Sequence, residues 1–341
     1  MQPLRVVITR ALPDHLLRSL TARPAGAAPL TISMWPSDEE MPRAELLSAL
    51  RGGGAGCAGV LCLLSDRMDA EALAAAGGGL RCVSTLSAGV SHIDLRACAA
   101  ARVRVGHTPD VLTDATADLA VALLLAVARR LPAAAAAARG GPDAWSSWKP
   151  FWMCGRPVAG ARVGIVGLGR IGAAIARRLA GFGAALTYSG GSGAKPDAEA
   201  ALGAPIRWQP LDDLLAAADI VVVACALTPA TRGLFSYARL AAMRADAIFV
   251  NVSRGEVVDQ DALARILAER PAMAAGLDVT TPEPLPTNSP LLALDNCLVL
   301  PHIGSATTPC REEMVRIAAE NLAAALDGAP AMRAEVALPA E

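Results

Sequence analysis

The chain has 341 residues, a hydrophobic content of 53% and a formal net charge of −1. That length accommodates two domains of ordinary size, and the apolar share suffices for a core in each. The balanced charge excludes a basic field for nucleic acid and an acidic solvating arm. The N-terminal MQPLRVVITR enters a strand-like run directly, without the basic head and long apolar stretch of a signal peptide. The longest apolar run, LAVALLLAVA, is about half of what spans a bilayer and is ended by Arg129 and Arg130, so no membrane partner is expected. The C-terminal ALPAE carries no organelle address, which leaves a cytoplasmic protein as the expectation. Eight cysteines occur with no CxxC pair, most of them inside apolar runs; they read as buried free thiols, and no ligand spacing suggests a metal.

In chain order, short β-branched runs alternate with alanine- and leucine-rich helical stretches, the pattern of parallel sheets with crossover helices. The first set of strands is LRVVITR, LTISMW, GVLCLL, RCVSTLS and VRVGHT, with helical pieces such as LPDHLLRSL and MPRAELLSAL between them. Glycine clusters at 52–54 and 77–79 read as helix ends and turns. From about Thr113, TDATADLAVALLLAVARRL predicts one long helix, apolar on nearly every face and therefore buried between domains or against another subunit. GGPDAWSSWKPFWMCG follows, with Trp145, Trp148 and Trp152 in a chain that is only 3% aromatic. It reads either as a loop capping its own core or as an arm on a second subunit.

A second alternating set runs ARVGIVGLG, AALTYSG, DIVVVAC, AIFVNVS, AAGLDV and LVLPH. The last segment predicts an amphipathic helix with Met314, Ile317, Ala318, Leu322 and Leu326 on one stripe and Gly328 as its stop. The opening of this set holds Gly167, Gly169 and Gly172 in G-x-G-x-x-G spacing, between an apolar strand and a helix. That context predicts a dinucleotide site: a tight turn, a close backbone approach to pyrophosphate and a close helix–strand packing. Arg170 and Ile171 lie inside the motif. About 20 residues on, an NAD-preferring site carries an acid. Here Tyr188, Ser189, Gly190, Gly191 and Ser192 offer none, and Asp197 is the first. Ser189 and Ser192 as donors and Lys195 as a cation tilt the expectation to NADPH, with NADH possible, although Lys195 in so glycine-rich a segment also reads as simply solvated.

Reduction of a 2-oxo acid needs a cation for the carboxylate and ketone, an acid for the developing alkoxide, and a group that aims the acid. Arg254, Glu283 and His302 follow three successive strands of the second set, where ligands bind in open α/β sheets. Asp278 ends a strand of its own. Each taken singly is as readily a surface charge, a loop solubiliser or a structural histidine. His15, His92 and His107 are weaker candidates.

These motifs resemble the D-isomer-specific 2-hydroxyacid dehydrogenases over nearly the full length. The resemblance rests on VGIVGLGRIG, NVSRGEVVDQDAL, AGLDVTTPEPLP and LPHIGSAT in that order. VGHTPDVLTDATADLAV, SSWKPFWMCG and EPLPTNSPLLALDNC look most like the animal branch that reduces glyoxylate and hydroxypyruvate to glycolate and D-glycerate. The resemblance implies Arg254 on the substrate, Glu283 orienting the histidine and His302 as proton donor. It implies backbone around Ser87, Ala88 and Gly89 on the substrate carboxylate, Ser305 beside it, Ala226, Val252 and Asp278 at the dinucleotide, and Trp148 reaching a partner subunit in a homodimer. It also implies a Rossmann cofactor domain, residues 113–298, inserted into a flavodoxin-like substrate domain of residues 1–112 and 299–341. A dimerisation helix and the tryptophan arm would span about 113–155. The chain departs from that branch at Gly191, where an arginine is usual, at Ala226 in place of a serine, and at Pro142 and Asp143, which look inserted. The alternatives are another D-2-hydroxyacid dehydrogenase, such as one acting on phosphoglycerate, or a dinucleotide-sensing corepressor.

Overall fold

The computed structural model describes residues 3–52, 56–191 and 193–339; Gly53, Gly54 and Ser192 lie outside them. The chain divides into two compact units, Met1–Leu112 with Thr307–Glu341, and Thr113–Ala306.

The first unit is a parallel sheet of β1 (Leu4–Ile8), β2 (Leu30–Met34), β3 (Gly59–Cys62), β4 (Cys82–Thr85) and β5 (Arg104–Gly106), ordered β2-β1-β3-β4-β5. This is the flavodoxin-like order. Side chains alternate across it as the strand period requires. Val7, Val60, Cys62, Val83 and Val105 pack with the helices Arg43–Arg51, Ala70–Ala76 and Leu95–Ala100. Val6, Ile8, Leu61 and Cys82 face the short helix Arg18–Thr21 and the C-terminal helix Thr308–Leu326. Met314, Ile317, Ala318, Leu322 and Leu326 are all buried, and Val315, Ala319 and Asn321 widen the stripe. The helix sits close to the sheet: a Cβ on Gly106 would lie 2.8 Å from that of Asn321. It ends at Leu326, two residues before Gly328.

The second unit holds β6 (Arg162–Val166), β7 (Ala185–Ser189), β8 (Ile206–Trp208), β9 (Ile220–Val223), β10 (Ile248–Asn251), β11 (Ala274–Leu277) and β12 (Cys297–Val299). They form one parallel sheet, β12-β11-β10-β9-β6-β7-β8, so the order reverses between β6 and β9. This is the doubly wound Rossmann order with a seventh strand added. β9 and β10 are buried at every position, which is why they read as unbroken apolar runs. Strand β8 was not anticipated. It is three residues long between Pro205 and Pro210 and buries only Ile206, too little for an alternating pattern.

Two boundaries differ from expectation. The single helix expected from Thr113 stops at Ala128, Arg130 adopts a left-handed conformation (φ 54°), and a second helix, Leu131–Arg139, leaves at 63°. The first helix buries Ala117, Ala120, Leu123, Leu124 and Val127 within its own unit, whereas the second buries nothing. A Cβ on Gly276 of β11 would lie 2.7 Å from Leu123 Cγ, so this helix rests on its own sheet. Among the described residues no single helix is long and apolar enough to cross a membrane. The return to the first unit falls after Ala306, not after Leu298. Residues 299–306 stay with the second unit because β12 is its edge strand and Asp278 holds the amides of Ile303 and Gly304.

Candidate active site

The three glycines of the fingerprint have three separate reasons. Gly167 follows β6 at φ 103°, and a Cβ there would lie 2.7 Å from the backbone of Cys225. Gly172 lies in the helix Arg170–Ala180, and its Cβ would fall 2.0 Å from the Gly167 carbonyl oxygen. Any side chain at either point forces the turn apart. A Cβ on Gly169 meets nothing within 4 Å, so open space remains in front of the helix N-terminus. Gly169 is the N-cap residue, and no side chain caps the first turn. The N–H groups of a first helical turn at such a space suit a pyrophosphate. The cradle therefore fits a dinucleotide. Arg170 is exposed, Ile171 packs on the unit's core, Val252 is buried beyond β10, and Ala226 is exposed beyond β9.

At the end of β7, Ser189 is buried and its carbonyl accepts from the Gly167 N–H at 2.8 Å. Gly190 and Gly191 follow with open space at both Cβ positions. Lys195 is not simply solvated. Its Nζ donates to the Leu168 carbonyl at 3.2 Å, inside the glycine turn, and its N–H donates to the Tyr188 hydroxyl at 2.6 Å. Among the described residues no carboxylate lies within 4.0 Å of that ammonium. The cation expected there from the sequence thus sits beside the glycine turn.

The three catalytic candidates lie on three turns of the same unit, after β10, β11 and β12. Asn251 ends β10 and shapes the arginine turn: its Oδ1 accepts from the Ser253 N–H and hydroxyl, and its Nδ2 donates to the Arg254 carbonyl. Arg254 is half-buried, and desolvation pulls its pKa down against the raising influence of Glu283 and Glu256. Its Nη1 donates to the Ser253 carbonyl at 2.7 Å, and among the described residues no carboxylate pairs with it within 4.0 Å. Gly255 lets this turn pack directly on the next, since a Cβ there would lie 2.0 Å from the Thr280 carbonyl oxygen. Gln260 adds a two-point lock, donating to the Thr281 carbonyl at 2.9 Å and accepting from its N–H at 3.0 Å. The glycine and glutamine of SRGEVVDQ therefore hold the arginine turn against the glutamate turn.

Glu283 Oε1 accepts from the Thr280 N–H at 3.0 Å, and Oε2 meets His302 Nδ1 at 2.8 Å. Burial pushes this carboxyl up, but the hydrogen bond and charge of His302, the Thr280 amide and Arg254 outweigh it and hold the pKa below the ordinary value. A carboxylate there makes Nδ1 the donor and leaves Nε2 for a substrate. His302 itself is left-handed at φ 55°. Its N–H donates to the Asp278 carbonyl, and the next two amides, of Ile303 and Gly304, donate to Asp278 Oδ1 and Oδ2 at 2.8 Å each. Asp278 is thus turned to the histidine's own loop; burial raises its pKa, with the two amides and His302 opposing. Residue order alone did not show this clamp. Ser305 follows, half-buried.

In the first unit, the turn after β4 carries Ser87, Ala88 and Gly89. Ser87 is buried, and Ala88 and Gly89 are half-buried. In the aromatic arm, Trp148 and Phe151 are 83% and 89% exposed. The arm does not cap its own core. Of the eight free cysteines, five are buried and only Cys154 is fully exposed.

Comparison with known proteins gives the same reading. The model of the D-isomer specific 2-hydroxyacid dehydrogenase NAD binding domain matches residues 121–304. The chain is 48% identical over 333 residues to the human glyoxylate reductase/hydroxypyruvate reductase, covering 97% of this chain and 98% of that protein. Among solved structures it superposes on a protein of Thermus thermophilus with a TM-score of 0.85 at 41% identity, over 98% of this chain and 100% of that one. It also superposes on the NADPH-dependent glyoxylate/hydroxypyruvate reductase of Sinorhizobium meliloti, solved with NADP and malonate, with a TM-score of 0.83 at 27% identity, over 99% and 97%. With the fingerprint turn, the parallel sheets and the arginine, glutamate and histidine turns in place, the chain belongs to the D-isomer-specific 2-hydroxyacid dehydrogenase family.

Proposed function

We propose that the protein reduces glyoxylate and hydroxypyruvate, yielding glycolate and D-glycerate, and prefers NADPH to NADH. The observation that carries the reaction type is the 2.8 Å contact between His302 Nδ1 and Glu283, on a turn packed against that of a half-buried arginine. The substrate class draws its support from the relatives, which bear those names. Gly167, Gly169 and Gly172 and the helix after them hold the pyrophosphate, with Ser189 and Gly191 at the adenosine ribose. The bound dinucleotide supplies the hydride that reduces the carbonyl carbon. Arg254 binds the substrate carboxylate and polarises the ketone or aldehyde oxygen. His302 gives the Nε2 proton to that oxygen as negative charge builds on it, and Glu283, accepting from Nδ1, keeps the imidazole aimed. Asp278 fixes the histidine loop. A corepressor has no use for this proton-donating pair.

The cofactor preference is supported by what surrounds β7. No acid occurs from Gly190 to Pro196 to repel a 2′-phosphate, Gly191 leaves room for one, and Lys195 supplies the charge. Steady-state kinetics with glyoxylate, hydroxypyruvate and pyruvate, each with both dinucleotides, test the proposal. The first two should turn over, with NADPH the better reductant; no turnover of either would remove the activity, and equal efficiency with NADH the preference. Lys195→Met should lower kcat/KM for NADPH about tenfold, the loss of one charge-assisted hydrogen bond, and leave NADH nearly unchanged.

For the exposed aromatic arm we propose a second copy of this chain as its cover, since bare patches of this kind mark interaction sites. Sedimentation of a dimer is expected; a species at the 34.8 kDa monomer mass would remove that reading.

A further inference from the structure

The turn after β4 is held from behind at every carbonyl. Thr108 N–H donates to the Ser87 carbonyl at 2.9 Å. His107 Nδ1 donates to the Ala88 carbonyl at 2.9 Å, and Ser87 Oγ donates to the Gly89 carbonyl at 2.7 Å. The Ser87 hydroxyl is in turn within 3.1 Å of Thr85 Oγ1, which meets His92 Nε2 at 2.9 Å. A trans peptide points its C=O and the following N–H in opposite directions. Pinning three consecutive carbonyls to the protein therefore turns the N–H groups of Ala88, Gly89 and Val90 the other way. Among the described residues nothing accepts from the Ala88 or Gly89 amides. Successive outward N–H groups make a concave site for an anion.

Of the three anchors, one is a backbone amide and one lies in the turn itself. The third, His107, is a side chain from β5's far end and is itself fixed. Its N–H donates to the Ala334 carbonyl, and its own carbonyl accepts from Nδ2 of the buried Asn321, whose Oδ1 takes the Ala334 N–H. The imidazole therefore starts from a rigid base.

We propose that His107 is a positioning residue for substrate: by holding the Ala88 carbonyl, it presents the Gly89 amide to the substrate carboxylate. The proposal rests on the reductase reading above for the identity of that anion. His107 touches no reacting atom, so its loss acts on substrate affinity and leaves the chemical step alone.

The test compares two variants. His107→Phe fills the ring's space without a donor, with His107→Leu as its substitute should the phenylalanine variant not fold. His107→Asn places a side-chain N–H at the same branch as Nδ1. The donor-less variant should raise KM for glyoxylate and hydroxypyruvate about tenfold, one hydrogen bond's worth, with kcat and KM for NADPH near wild type. The asparagine variant should recover most of that loss. An unchanged substrate KM in the donor-less protein overturns the proposal, and so does an asparagine variant no better than it, which would mean the ring only packs. Oxalate, an unreactive two-carboxylate anion, is titrated against the same proteins by tryptophan fluorescence. If wild type reduces neither substrate, the reductase reading fails on its own. The positioning role then stands on about tenfold weaker oxalate binding without the donor, and falls if binding is equal.

Discussion

His302→Ala is expected to lower kcat by about 10²- to 10⁴-fold, the range of a positioned general acid, while the dissociation constant for the dinucleotide stays within a few-fold of wild type. The separation follows from position. His302 lies on the turn after β12, held by Asp278 and Glu283, whereas the pyrophosphate cradle is built at β6 and the helix after it. Stopped-flow measurement of dinucleotide binding beside steady-state turnover reads both quantities, and near-full turnover would end the proton-donor role. The partner residue should show itself in pH dependence. The His302 bond and charge, the Thr280 amide and Arg254 outweigh burial and hold the Glu283 pKa below the ordinary value, so the carboxylate keeps Nδ1 as its donor until the pH falls below the ordinary carboxylate range. Protonation of Glu283 there breaks the contact, so turnover should fall on the acid side. Glu283→Gln removes the titrating carboxylate, so that acid limb should vanish and kcat at neutral pH should fall about tenfold, the loss of one charge-assisted hydrogen bond. Unchanged turnover and an unmoved acid limb would mean that the 2.8 Å contact does not serve the proton donor.

Most of the strands could be read from composition because parallel strands buried on both faces are unbroken β-branched runs, as in Ile220–Val223 and Ile248–Asn251. Strand β8 escaped for the opposite reason: it is a short edge strand with one buried side chain. The helix break at Arg130 escaped because alanine and leucine continue on both sides of it. In the site, the identities of Arg254, Glu283 and His302 were legible, since each stands alone after a strand. What joins them was not. Gly255 meets Thr280, and Gln260 locks Thr281, across about 20 residues of sequence, and no spacing rule links them. Asp278 reads as a residue at the cofactor; that its two oxygens also take amides 25 and 26 residues away does not show in the spacing. Lys195 illustrates the same limit: the sequence left it open between a cation at the cofactor and a solvated side chain, and its bond to the Leu168 carbonyl is made through a backbone group that spacing does not show. Residue type survives in the sequence; contacts made through backbone groups leave no trace in it.

Arg254→Leu should separate activity from stability more sharply than any other change. Arg254 is half-buried, its pKa is pulled down by desolvation, and Ser253 is its hydrogen-bond acceptor in place of a carboxylate. A desolvated cation without a paired anion costs stability, and its replacement by an apolar side chain of similar volume is commonly neutral or stabilising. The same group is the one positioned to meet an anionic substrate and to polarise its carbonyl. Losing a charge-assisted, transition-state contact of this kind costs roughly 3–4 kcal/mol, so kcat/KM should fall by about 10²- to 10³-fold. Thermal stability should hold or rise, by about 2–4 °C if about 1 kcal/mol of desolvation is relieved. Arg254→Lys should fall between, because it keeps the charge and loses the planar fork. Differential scanning fluorimetry beside kinetics measures both effects on one preparation. A leucine variant that melts several degrees lower would show the arginine to be a structural strut. One that keeps kcat/KM would show that substrate is held elsewhere. The opposed signs expected here are those of a residue kept for chemistry at the expense of the fold.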